Sequence, residues 1–156
     1  MPRPEPHFEF AMTITINLGH AYRVTPSNYG SERWGVYLTD GIVEGPEIKG
    51  IVIPGSGADW PWLRPDGVID FDARYMLKTD DGAVIYLQNR GYRWGPPEIM
   101  AAMARREAVP EGSYYMKAAP KFEAPQGKYD WLNKYVFVGC AEKTPAGNKI
   151  HYYKVL

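Results

Sequence analysis

From Phe8 to Leu18 the even positions Phe8, Phe10, Met12, Ile14, Ile16 and Leu18 are apolar, and Glu9, Thr13, Thr15 and Asn17 fall between them. A period of two marks a strand with one face buried and the other wet. Further extended runs are predicted at 21–24, 33–38, 47–53, 68–79, 83–89, 114–118, 135–141 and 149–155, punctuated by the turn pairs Asp40-Gly41, Asp81-Gly82 and Gly147-Asn148. KTDDGAVIY is the clearest hairpin, because Asp81-Gly82 tolerates the positive φ of a tight primed turn. One segment departs from the pattern. After Pro96 and Pro97 the residues Ile99, Met100 and Met103 recur at helical spacing and Pro110 ends the run, which predicts a single helix of about three turns, a lid or an end plug. About eight strands with short connections and one short helix predict an all-β, mainly antiparallel fold. The sheet is expected either to roll into a barrel or to split into a sandwich, as a single domain over residues 1–156 with 1–6 as a flexible N-terminal tail.

Two stretches carry the candidate chemistry. GADWPWLRPDG, residues 57–67, sets Asp59, Trp60, Trp62, Arg64 and Asp66 among prolines and glycines. Pro61 lacks the amide a central strand needs and Pro65 pushes Arg64 towards an extended conformation, so the run reads as a stiff rim loop between ladders. Such a loop can aim Asp59, Trp60 and Arg64 at one place, or can cover a core edge while the charges pair in solvent. In the strand at 68–79, Ile69, Phe71, Ala73, Tyr75 and Leu77 share one face, and Asp70, Asp72, Arg74, Met76 and Lys78 share the other. Alternation permits either a wet exterior for the charged face or a polar lumen lined by it.

The chain of 156 residues can bury about two-thirds of its unfolded surface without metals or disulfides. Its 18 basic and 18 acidic residues balance and no basic cluster stands out, which argues against a nucleic-acid partner. No window approaches the length of a membrane span and no leader-like segment opens the chain, so a membrane is not an expected partner and the expected location is cytoplasmic. Cys140 is alone and flanked by Gly139 and Ala141, as in ordinary strand packing. His7, His20 and His151 show no ligand spacing, so no metal is expected. GSG at 55–57 lacks the lysine of a phosphate loop, and GxSxG is absent. Aromatic residues reach 14%, enough to fill a core or to wall a pocket for a flat molecule.

The blocks GIVEGPEIKGIVIPGSGADWPWLRPDGVIDFDARYMLKTDDGAVIYLQNRGYR, YYMKAAPKFE, YDWLN and KYVFVG, spanning Gly41 to the C-terminal region, resemble the small β-barrel family catalogued as domain of unknown function 3237. The resemblance implies a single closed or nearly closed β-barrel of about eight strands with one short helix, and places motif positions on Gly45, Pro46, Asp59, Trp60, Arg64, Asp66, Gly67, Asp72, Arg74, Tyr75, Asp81, Gly82, Tyr86, Asn89 and Trp131 to Asn133. It departs at Met116, Lys117 and Ala118, where the family usually carries an aromatic residue, arginine and threonine, and at Cys140. Lysine supplies charge without the planar fork of arginine, which bears on substrate preference.

On these grounds the charged face is expected to line the lumen. Asp59 is expected to transfer protons, Asp72 to stay ionised beside Arg74 or Arg64, and the arginines to steady a developing oxyanion. A buried structural ion pair is the alternative for Asp72 and Arg74. Trp60, Tyr86, Lys117, Trp131 and Asn133 are the expected substrate-binding residues. The function expected is a cofactor-independent acid/base enzyme of isomerase, cyclase or lyase type, acting on a small, partly apolar oxygenated molecule. A non-catalytic carrier barrel and a protein-interaction module are the alternatives, and a homodimer is an expected assembly.

Overall fold

A computed structural model describes residues 1–156. Residues 1–7 belong to no regular element. The elements are β1 (Phe8–Val24), β2 (Glu32–Glu44), β3 (Lys49–Val52), β4 (Ala58–Asp59), β5 (Trp62–Leu63), β6 (Ile69–Thr79), β7 (Val84–Trp94), α1 (Pro97–Ala104), β8 (Tyr115–Glu123), β9 (Phe137–Lys143) and β10 (Gly147–Val155). Every pairing is antiparallel, and β1 joins β10 on one side and β2 on the other, so the sheet closes on itself and leaves no free edge. β3, β4 and β5 are pieces of one broken wall strand between β2 and β6, which makes this an eight-stranded closed barrel with one helix.

Five local expectations change. The run 57–67 is barrel wall rather than a rim loop: Ala58–Asp59 and Trp62–Leu63 each pair with both β2 and β6, and Trp60-Pro61 interrupts them. Proline is tolerated there because its carbonyl still accepts from the Trp34 amide at 2.9 Å. Asp40-Gly41 is not a turn but lies within β2, where a Cβ on Gly41 would come 2.5 Å from the Thr15 carbonyl oxygen; glycine permits the close approach of two strands. Gly147 opens β10, with the turn at 144–147 just before it. The turn at Asp81-Gly82 is present, with Gly82 at φ +92°. The Gly82 amide donates to Thr79 and the Thr79 amide to Ala83, so it is a wider turn than the two-residue primed type. The helix is shorter than expected, eight residues, ending before Arg106 at φ 59°.

The interior divides along the barrel axis. At one end Met12, Val43, Val52, Leu77, Ile85, Leu87, Phe122, Phe137 and Tyr152 form a continuous core, with Leu132 of a 3₁₀ turn at Asp130–Asn133 packed into it. The Asp81 carboxylate ties that end together, accepting from Thr79 Oγ1 at 2.5 Å, Tyr129 Oη at 2.7 Å and Lys128 Nζ at 3.2 Å. At the other end, which α1 adjoins as it leads from β7 to β8, small and polar side chains replace the large apolar ones.

Candidate functional site

The barrel decides which phase of β6 faces in. Ile69, Phe71, Ala73, Tyr75, Leu77 and Thr79 are buried, while Arg74, Met76 and Lys78 are exposed and Asp72 is half-buried. The expectation that the charged face lines the lumen is therefore corrected. The interior already holds the apolar phase, and closure turns the other phase outward. Asp72 and Arg74 pair on the outer wall, with Nη2 to Oδ2 at 3.2 Å and Gln88 Nε2 donating to Oδ1 at 3.1 Å. Partial burial alone would raise the Asp72 carboxyl, but the Arg74 and Gln88 hydrogen bonds hold it below the ordinary value.

The other expected site residues also scatter. Arg64 forms a bidentate, exposed pair with Asp66 in the turn before β6. Tyr86 stands outside beside Arg74, and Lys117 is exposed on the outer face of β8 near the Tyr115 ring. Trp131 and Asn133 lie at the apolar end. Trp131 packs on Phe137, and Asn133 bridges the Ala124 amide and carbonyl at 2.8 and 3.0 Å. Trp60 points to the outer wall, opposite its neighbour Asp59.

Asp59 alone of the expected set faces the lumen. It sits in register with Ala73, which is in register with Asn89, so across β4, β6 and β7 a carboxyl and an amide face each other over a methyl group. The Asp72 backbone N–H donates to Asp59 Oδ1 at 3.1 Å and fixes the carboxyl's direction. Burial is the dominant influence on its acidity and lifts it from 3.8 to about 6, against the opposing pull of that backbone bond and of the Arg93 charge. The carboxyl is half-buried and borders a small void lined by Phe71, Asn89, Met116 and Asn148. That void is about 20 Å³, room for a water-sized group.

Two cations share this interior. Arg93 follows Ile85, Leu87, Asn89 and Gly91 on the inward phase of β7, and Lys143 follows Phe137, Gly139 and Ala141 on that of β9. Burial lowers both, Lys143 to about 8 with help from the Arg93 charge. Neither reaches Asp59 at ion-pair distance, so the three charges act on one another through space. Tyr114 Oη accepts the Lys143 amide at 2.7 Å. Arg93 Nε, Asn89 Oδ1 and Asn148 Oδ1 are buried without a hydrogen-bond partner. Such groups are costly to leave unmet, and their grouping around a carboxyl of raised pKa is characteristic of sites that receive a polar ligand. Nowhere do three His, Cys, Asp or Glu side chains come together to chelate a metal. No helix is long and apolar enough to cross a membrane.

Sequence reasoning missed Arg93, Lys143 and Asn148. Their signal was phase: each keeps the apolar parity of its strand, but the predicted strands stopped at 89 and 141, short of both cations.

The model of a family described as protein of unknown function (DUF3237) matches residues 6–155. A UPF0311 protein of Clostridium acetobutylicum is 34% identical over 97% of this chain and 95% of its own length. The crystal structure of a conserved protein of unknown function from Rhodopseudomonas palustris superposes with a TM-score of 0.92 at 34% identity, over 99% of this chain and all of that one. A hydroalkoxylation enzyme of Penicillium herquei is 27% identical over 99% of this chain and 86% of its own. The crystal structure of an enzyme from the same fungus gives a TM-score of 0.75 at 27% identity, over 100% of this chain and 99% of that one.

Proposed function

The chain belongs to the family described as protein of unknown function (DUF3237), and within it we propose a cofactor-independent acid/base enzyme of isomerase, cyclase or lyase type, with Asp59 as the proton-transfer group. Its substrate is a small, partly apolar oxygenated organic molecule. The observation that carries this reading is a single carboxyl inside the polar half of the barrel, with a pKa of about 6 and two buried cations around it. Near neutrality such a carboxyl exists in both forms, so it can give a proton in one step and take it back in the next.

The Penicillium herquei relative named for hydroalkoxylation supports the same reaction class. Addition of an O–H across a C=C bond needs no electron carrier. In the corresponding step here, the Asp59 acid gives its proton to one alkene carbon and a substrate hydroxyl oxygen bonds to the other. The hydroxyl proton then returns to the Asp59 carboxylate, which restores the enzyme. Arg93 and Lys143 steady negative charge on a substrate oxygen, and Asn89 and Asn148 offer free carbonyl oxygens to substrate hydroxyls. Because the void holds only a water-sized group, the reading requires the segment between β7 and β8 to shift and admit the reacting end.

The test is a thermal-shift screen of phenolic and polyketide-like compounds, followed by mass spectrometry of hits incubated with the native protein and with Asp59→Asn. Conversion by the native chain and none by the folded variant supports the proposal. Recovery of every stabilising compound unchanged makes the barrel a carrier.

A further inference from the structure

On the outer wall, opposite the lumen face of Asp59, a cleft of about 660 Å³ is lined by the far ends of β1 and β2 and by Trp60. It arises where the β1–β2 ladder slips register on either side of Leu18. Gly35 lets the Trp60 ring pack flat on the strand as its floor: a Cβ there would come 2.8 Å from that ring. Above that floor His20, Tyr22, Tyr37 and Trp60 form a series of edge-to-face contacts, with centroid separations of 4.9, 6.3 and 5.8 Å. Tyr22 and Tyr37 are more than half or about half exposed, at 63% and 50%. These aromatic surfaces are open to solvent.

Register separates the two guanidinium groups at the end of this ladder. Arg23, opposite Trp34, is on the lumen phase at the barrel mouth, stacked on Trp34 at 4.5 Å with Glu32 at 3.7 Å. Arg33 is on the outer phase with Gly35 and Tyr37, lies over Trp62 at 3.9 Å and gives one N–H to the Trp60 carbonyl. Its guanidinium has five N–H donors, so most remain free, and no carboxylate lines the cleft. Stacking on indole holds the fork in place, which lowers the entropy lost on binding an anion.

We propose that this outer cleft is a second small-molecule site, separate from the lumen, for a flat aromatic carboxylate: the ring against Tyr22, Tyr37 and Trp60, the carboxylate on Arg33. The volume is that of a site for a small organic ligand. Charge decides the occupant. A second copy of the chain docked about a twofold axis would set this cationic patch against itself.

The test titrates the full chain with 2-naphthoate, following tryptophan fluorescence, with 2-naphthylmethanol as the uncharged comparison. Saturable quenching by naphthoate is expected, with the alcohol bound about tenfold or more weakly, the loss expected for charge-assisted hydrogen bonds. Arg33→Gln should raise the dissociation constant by a similar factor. Tyr22→Ala, which alters an exposed side chain only, should weaken both probes. Asp59→Asn should leave the naphthoate constant unchanged, which separates this site from the lumen. Equal affinity for acid and alcohol, or indifference to Arg33→Gln, overturns the proposal. So does loss of binding in Asp59→Asn alone. Sedimentation that shows a dimer split by Trp60→Ala and untouched by naphthoate assigns the cleft to a second copy and also overturns it.

Discussion

The two ends of the barrel are built by the same strands, often by the same inward phase of one strand. On β7, Ile85 and Leu87 enter the apolar end, and Asn89, Gly91 and Arg93 enter the polar end. On β9, Phe137 gives way to Gly139, Ala141 and Lys143. At the apolar end every inward side chain gains from leaving water, at about 25 cal/mol for each Å² of apolar surface. At the polar end Asp59, Arg93 and Lys143 each lose hydration without an ion-pair partner, and burial is the largest influence on the proton affinity of each. The apolar half thus holds the fold together, while the polar half weakens it and holds chemically potent groups in place. Trp60 and Asp59 show the same division across the wall: adjacent residues present an aromatic ring to solvent and a carboxyl to the interior.

Exchanging the roles of the two halves tests this division. The largest effect is expected from Asp59→Asn, which keeps the shape and the acceptor for the Asp72 amide but removes the exchangeable proton. Turnover on a substrate found by screening should fall about 10²- to 10⁴-fold, measured on variant shown to be folded by circular dichroism. Leu87→Ala, at a fully buried position of the apolar half, should cost about 2–5 kcal/mol in urea unfolding and leave turnover per folded molecule near the native value. A loss of catalysis in Leu87→Ala at unchanged stability would erase the distinction between the ends.

Stability against pH sharpens the contrast. Asp59 holds its proton more tightly in the folded chain, at about 6 against 3.8, so the folded state carries more protons than the unfolded between those values. Its contribution is fully present below 3.8 and disappears as pH rises through about 6, a loss of about 2–3 kcal/mol by pH 7. Asp59→Asn should therefore be the more stable protein at pH 7 while being the less active one, with the difference vanishing near pH 4. Lys143, lowered from 10.5 to about 8, works in the opposite direction. The stability it forfeits at neutral pH returns as pH climbs from 8 to above 10.5, so Lys143→Met should gain stability at pH 7 and flatten that alkaline rise. Paired unfolding curves at several pH values check both. The smallest effect belongs to the outer wall: Asp72→Asn or Arg74→Met should cost less than about 1 kcal/mol and leave turnover unchanged, because that pair meets solvent.

Much of the wall was legible in the sequence. The period of two marked the strands, and the Asp81-Gly82 turn and the helix after Pro97 fell where their residue chemistry placed them. The lengths were not, because a strand in a closed barrel continues as long as its neighbour offers hydrogen bonds. β7 runs on to Trp94 beside β6 and β8, and β9 to Lys143 beside β10. Stopping them at Asn89 and Ala141 hid the two cations that now surround Asp59. The broken wall at 57–67 was misread for a related reason: Pro61 forbids one amide bond, yet ladders on either side of it can still form.

By itself the sequence determined that strands would alternate, that glycines at turns and close approaches would let them fold back, and that Asp59 belonged to a patterned stretch rich in charge and aromatic rings. Only the tertiary structure decided which phase of each strand faced the interior. Alternation is unchanged when inside and outside are exchanged, and the energetic cost of burying Asp72 and Arg74 appears only once the sheet has closed. That cost turned their pair outward and left Asp59, with Arg93 and Lys143 on the apolar phases of β7 and β9, as the charges inside.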